Sequence, residues 1–185
     1  MQDFKIPQNL KLEYSAENIS AAVRRLGADI TPWALEVAQS TGKDVLAIPV
    51  LRGGVFFFAD LVRQVKQSLE IAPARAWAYE PDENNHQKKE VALNLDGVPA
   101  MGRSILIVDD VCDSGRTLKA LSEAFLAAGA REVKSAVIIR RVIDSQVFVP
   151  DWVGFDYRGL EWFVGYGMDD RESLRNLPAV YTLQG

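Results

Sequence analysis

The chain predicts an α/β fold, a mostly parallel central sheet flanked by helices, and three observations carry that expectation. Nearly unbroken apolar runs at Val45 to Leu51, Ser104 to Val108 and Val133 to Ile139 have the pattern of strands buried on both faces of a parallel sheet. Helical spacing alternates with these runs through short turns as far as Arg140. The 185 residues are 48% hydrophobic and 25% charged, enough apolar material for one core and too much for a disordered chain.

Taken in order, Ser15 precedes apolar positions at Ile19, Val23, Leu26 and Ile30 and reads as the N-cap of an amphipathic helix. Pro32 should kink or restart that helix, and Gly42 stops it. After the strand at 45–51, Arg52-Gly53-Gly54 turns the chain into a helix expected over 55–68. A short strand is expected at 74–79. The segment 80–90 is polar apart from one proline and cannot hold itself down by burial. Val91 to Leu95 alternates, Asp96-Gly97 turns, and the strand at 104–108 runs into Asp109-Asp110. Gly115 to Ala128 reads as a helix closed by Gly129, followed by the strand at 133–139. Beyond Arg141 the pattern changes to short aromatic strands, Trp152 to Tyr157 and Trp162 to Tyr166. They predict a small hood over the sheet's edge, about 141–185 with the N-terminal segment, on a core of about 15–140. No repeat or long linker divides the chain, so 1–185 is expected as a single domain.

Charge and rare residues exclude several classes of function. Lys plus Arg number 21 against 25 Asp plus Glu, a net charge of −4 that gives no general attraction to a phosphate backbone. One cysteine, Cys112, and one histidine, His86, rule out an intrachain disulfide and any multi-cysteine or His-pair metal site. A reducing, cytoplasmic setting is expected, with no apolar run of membrane-spanning or signal-peptide length.

Ligands of open parallel sheets sit outside the carboxyl ends of the strands, so the loops after residues 51, 79, 108 and 139 should converge. The most informative is Asp109-Asp110-Val111-Cys112-Asp113-Ser114-Gly115-Arg116-Thr117, where a buried strand leads into three carboxylates and a turn opening a helix. Free amides, the hydroxyls of Ser114 and Thr117 and the positive helix end suit a phosphate monoester. Carboxylates beside it would repel the anion unless they served sugar hydroxyls, a divalent cation or a proton in flight. A phosphorylated sugar satisfies both halves. An ordinary capped turn with solvated acids is the competing reading, weakened by the number of polar groups gathered at one strand end.

This segment closely resembles the phosphoribosyl-pyrophosphate signature of the type I phosphoribosyltransferases, and the rest of the chain, from about Leu12 to Leu183, looks like their hypoxanthine-guanine branch. The resemblance implies that Asp109 and Asp110 bind the ribose hydroxyls, and that Ser114, Gly115, Arg116 and Thr117 cradle the 5′-phosphate. It makes Asp113 the general base or acid at purine N7, and an acid there favours a 6-oxopurine. Leu51-Arg52-Gly53-Gly54 resembles the branch's pyrophosphate loop, with a non-proline cis peptide expected between Leu51 and Arg52. Trp162 and Phe163 resemble its base-binding strand, with the indole over the purine face. Asp169 would be a metal ligand beside Asp109 and Asp110, and Arg175 a pyrophosphate-binding arginine. Arg140 stands where the family commonly carries a lysine donating to the purine 6-oxygen, with Arg141 a neighbour that could substitute.

The implied reaction transfers 5-phosphoribosyl from phosphoribosyl pyrophosphate to hypoxanthine or guanine, with Mg2+, in a homodimer or homotetramer. The 80–90 segment would close as a lid against water, or be a solvated loop. Cys112 reads as a small buried filler, His86 as solvated, and Val55 to Phe58 as core or subunit interface. Two alternatives stand beside this reading. One is a phosphoribosyltransferase for xanthine or a pyrimidine; the other is a non-catalytic RNA-binding regulator on the same fold, which the acidity disfavours.

Overall fold

A computed structural model describes residues 5–72, 75–78, 91–94 and 97–184. The 80–90 segment, with His86, lies outside the described residues, and β-strands 75–78 and 91–94 are described by their backbone. Five parallel strands form the central sheet: β2 (Val45–Pro49), β3 (Leu69–Ile71), β6 (Ser104–Cys112), β7 (Glu132–Arg141) and β8 (Trp152–Tyr157), in the order β3-β2-β6-β7-β8.

The apolar runs are double-faced. Val45, Ala47, Leu106, Val108, Ala136 and Ile138 bury into one core with helices α1 (Ala16–Thr41) and α2 (Val55–Val62). Their neighbours Leu46, Ile48, Ile105, Ile107 and Val137 bury into a second core with Leu118, Leu121 and Phe125 of α3 (Arg116–Ala127). Alternate residues of a strand point to opposite faces, so a sheet covered on both sides must be apolar at every position.

Helix α1 starts as the sequence reads. Ser15 Oγ accepts from the Asn18 amide at 3.2 Å, the Asn18 side chain accepts from the Ser15 amide at 3.1 Å, and Gly42 closes the far end in the left-handed region. Pro32 neither ends nor restarts it. Ile19, Val23, Leu26 and Ile30 before the proline and Trp33, Ala34 and Val37 after it all bury, and that continuous apolar stripe keeps 26 residues in one helix.

Three other expectations are corrected. The helix after the Gly53-Gly54 turn stops at Val62 instead of Ser68, the Lys66 amide is taken by Thr31 Oγ1 of α1 at 3.0 Å, and the chain goes on into β3, which the helical reading had hidden. The strand expected at 74–79, β4 (Arg75–Ala78), does not enter the central sheet but pairs antiparallel with β5 (Val91–Asn94). Residues 152–157, expected in the hood, are β8, parallel to β7 at the sheet's edge. A parallel crossover ordinarily carries a helix; the 142–151 connection makes it without one, which removed the signal. Strand β8 is fixed to α1 by Trp33 against Trp152, centroids 5.4 Å apart, and by Arg25, which donates to the carbonyls of Val153 at 3.1 Å and Gly154 at 2.7 Å.

The remaining strands form an antiparallel sheet, β1 (Leu10–Tyr14), β10 (Val180–Leu183) and β9 (Phe163–Val164), with β10 in the middle. Tyr14 stacks on Phe155 of β8 at 4.1 Å, and Tyr166 donates its hydroxyl to Asp60 of α2 at 2.8 Å. This small sheet is thereby tied to both the central sheet and the first helical layer.

Candidate active site

Strand β6 carries the signature acids to the carboxyl edge of the sheet. Asp109 is buried, and its Oδ1 accepts the amide of Asp110 at 2.9 Å; Asp110 Oδ1 in turn accepts the amide of Val111 at 2.9 Å. Burial first and the Asp110 charge second raise the Asp109 pKa well above the usual carboxylate range. Burial raises Asp110 too, against the opposing pull of its hydrogen bonds and of Arg175. The loop after β2 lies directly on these acids. A Cβ on Gly53 would collide with the Asp110 carboxylate where it stands, so glycine lets the loop approach without displacing that acid.

Beyond these acids the chain turns into α3 through Gly115, which sits at φ +83° and caps the helix with no side-chain hydrogen bond. The first amides of α3 are therefore left for an external acceptor, and Ser114 and Thr117 stand half-exposed beside them. Cys112, between the acids and this turn, is buried, and burial pushes its thiol up to about 11. It is an inert filler.

Asp113, exposed at the turn, is gripped from β7. Arg141 Nε donates to Asp113 Oδ1 at 2.5 Å, while its two terminal nitrogens donate to the carbonyls of Gly159 and Glu161, each at 2.6 Å. The guanidinium lies 4.6 Å from the centroid of the buried Phe163 ring. Arg140 points elsewhere, bound at 2.8 and 2.7 Å by both carboxylate oxygens of Asp156. Adjacent strand residues face opposite sides, so only one of the two arginines can reach Asp113, and it is Arg141. Trp162 is 59% exposed and donates Nε1 to the carbonyl of Asp169 at 2.6 Å.

On the other flank the Leu51–Arg52 peptide is cis. Arg52 reaches Glu172 at 2.6 Å, and Arg175 reaches Asp169 at 2.7 Å, Glu172 at 3.2 Å and the carbonyl of Gly167 at 2.7 Å. Among the described residues no three Asp, Glu, Cys or His side chains converge as a metal cage, and Asp169 pairs with Arg175.

A sequence profile of the phosphoribosyl transferase domain matches residues 16–171, most of the chain. The chain belongs to the phosphoribosyl transferase domain family. A hypoxanthine-guanine phosphoribosyltransferase of Streptococcus agalactiae is 32% identical over 178 residues, covering 94% of this chain and 93% of that protein. One from Bacillus subtilis is 31% identical over 175 residues, with 94% and 93% covered. Among solved structures, a hypoxanthine phosphoribosyltransferase from Staphylococcus aureus superposes with a TM-score of 0.83 at 25% identity, over 95% of this chain and 92% of that one.

In this phosphoribosyl transferase domain one residue of the site, and one contact of another, escaped the sequence reading. Glu172 sits in the acidic run Asp169-Asp170-Arg171-Glu172, which looks like any solvated turn, and nothing in it signals a partner 120 residues away. The grip of Arg141 on the 159–161 carbonyls is equally invisible, because backbone acceptors leave no mark in side-chain identity.

Proposed function

We propose that this chain is a purine-salvage enzyme that moves the 5-phosphoribosyl group of phosphoribosyl pyrophosphate to hypoxanthine or guanine, with release of pyrophosphate. One observation carries the reading. The 109–117 bend sets the buried Asp109, the half-buried Asp110, Asp113 and an uncapped helix start in series, and Arg141 fastens Asp113 to the aromatic strand beside it.

The amides of the α3 start and the Ser114 and Thr117 hydroxyls hold the 5′-phosphate. Asp109 and Asp110 accept from the ribose hydroxyls, and their charge beneath the ring favours the cationic sugar of the transition state. The purine lies between Trp162 and the Phe163 backbone, where Arg141, not Arg140, is the donor in reach of a 6-oxygen. Asp113 takes the proton from N7 as the N9–C1′ bond forms and the C1′–oxygen bond to pyrophosphate breaks. The loop backbone at Leu51, Arg52 and Gly53 and the Arg175 guanidinium receive the leaving group.

Asp109 and Asp110 together, and Asp169 by itself, offer carboxylate oxygens that fit Mg2+, which is commonly held by one or two carboxylates together with substrate oxygens and needs no three-residue cage. When bound, Mg2+ supplies charge neutralisation of the pyrophosphate. Val55 and Phe56 are 39% and 40% exposed while Phe57 and Phe58 are buried, which supports α2 as a subunit contact in a dimer or tetramer. No helix among the described residues is long and apolar enough to cross a membrane, and the cytoplasm is the setting this reading takes.

Purified protein with phosphoribosyl pyrophosphate and Mg2+ should form nucleotide from hypoxanthine or guanine, followed by absorbance, with xanthine run alongside. No product from any 6-oxopurine would overturn the proposal.

A further inference from the structure

Among the described residues, every non-glycine residue with positive φ lies between Tyr166 and Leu174, and three of the four, Arg171, Glu172 and Leu174, fall in a single turn. Such conformations crowd Cβ against the following carbonyl and are disfavoured for L-residues. The turn is nevertheless held from several directions. Asp169 Oδ2 accepts the Glu172 amide at 2.7 Å, Asp170 and Ser173 exchange backbone hydrogen bonds at 3.0 and 2.9 Å, and Arg175 donates to the carbonyl of Gly167.

The outcome of that effort is the position of one carboxylate. Glu172 Oε1 meets Arg52 at 2.6 Å and Oε2 meets Arg175 at 3.2 Å, so its two oxygens bridge two guanidiniums carried by separate loops. Arg52 and Glu172 are well exposed, 70% and 59% at the side chain, and an exposed ion pair contributes too little to explain a disfavoured backbone. Strain of this kind at a ligand clamp points to function. An anion with two oxygens facing two arginines has the shape and charge of a phosphoryl group.

We propose that Glu172 is a built-in surrogate for pyrophosphate. It neutralises Arg52 and Arg175 while the site is empty, gives way when a diphosphate enters, and competes for the same cations when pyrophosphate leaves. The inference rests on the reading that these arginines receive the diphosphate.

The test is Glu172→Gln, which keeps the shape and removes the charge, with binding of inorganic pyrophosphate measured by titration calorimetry at low salt. Removing the Glu172 charge releases the exposed pair with Arg52 and one of the two carboxylates on the half-buried Arg175, which keeps Asp169, and should tighten binding by about 2- to 10-fold. The KM for phosphoribosyl pyrophosphate should fall by a similar factor while the KM for the purine stays constant, and the difference from wild type should shrink as salt is raised. A merely structural glutamate would give the opposite sign. Equal or weaker pyrophosphate binding by a folded Glu172→Gln overturns the inference, and Glu172→Ser is read the same way should the glutamine variant misfold. A wild-type chain that neither binds pyrophosphate nor forms nucleotide overturns the proposed function and this inference together; one that does both, beside an unchanged variant, overturns the inference alone.

Discussion

At the scale of single residues, the 109–113 stretch separates two roles that one residue type plays in two environments. Asp113 is exposed and oriented by Arg141, the placement the proposed proton transfer asks of it. Asp113→Asn keeps an acceptor for Arg141 but cannot take that proton. Turnover should fall by about 10²- to 10⁴-fold in steady-state assays, with phosphoribosyl-pyrophosphate binding by calorimetry little changed. Asp109 is the contrary case. Because its pKa in the folded chain is raised, the fold retains a proton there that the unfolded chain has already released, and stability is lost as pH climbs from the ordinary value of 3.8 through the raised one. Asp109→Asn cannot ionise and still accepts the Asp110 amide. Its Tm at neutral pH should rise, on the order of a few degrees, and the gain should vanish below about pH 3.8. These acids were legible in the sequence because residue type at a strand end already implies the chemistry. The choice between Arg140 and Arg141 was not, since both are arginines and only the pleat decides which one faces Asp113.

Among the elements, those whose stabilising groups are neighbours in sequence were the ones a reader could place. The start of α1 is written in Ser15 and Asn18, three residues apart, and its reciprocal hydrogen bonds follow from that spacing alone. Ser15→Ala removes the acceptor for the Asn18 amide and should cost about 0.5–2 kcal/mol, seen as a lower midpoint in thermal or urea denaturation. The early end of α2 was hidden for the opposite reason. Beyond its last turn Thr31 of another helix takes the Lys66 amide, which a continuing helix would have used itself, and a contact spanning 35 residues has no local signature. Pro32 shows the same override in reverse, a local breaker outvoted by the core contacts of Trp33, Ala34 and Val37.

For the molecule as a whole, alternation of buried strands and helices was enough to give the parallel sheet, while the membership of β8 depended on a crossover without a helix. The small sheet around β10 draws its strands from both ends of the chain, so its order is a property of the completed fold and not of any one segment. Strand β8 also ends the central sheet, and the end of a sheet presents peptide groups that another chain can pair with. Arg25 occupies the carbonyls of Val153 and Gly154 there with a charged side chain. Arg25→Ala should leave nucleotide formation per folded molecule unchanged but make light scattering rise with protein concentration. A guanidinium that is silent in the chemistry thus serves as a guard, keeping one molecule's rim from becoming the template for the next.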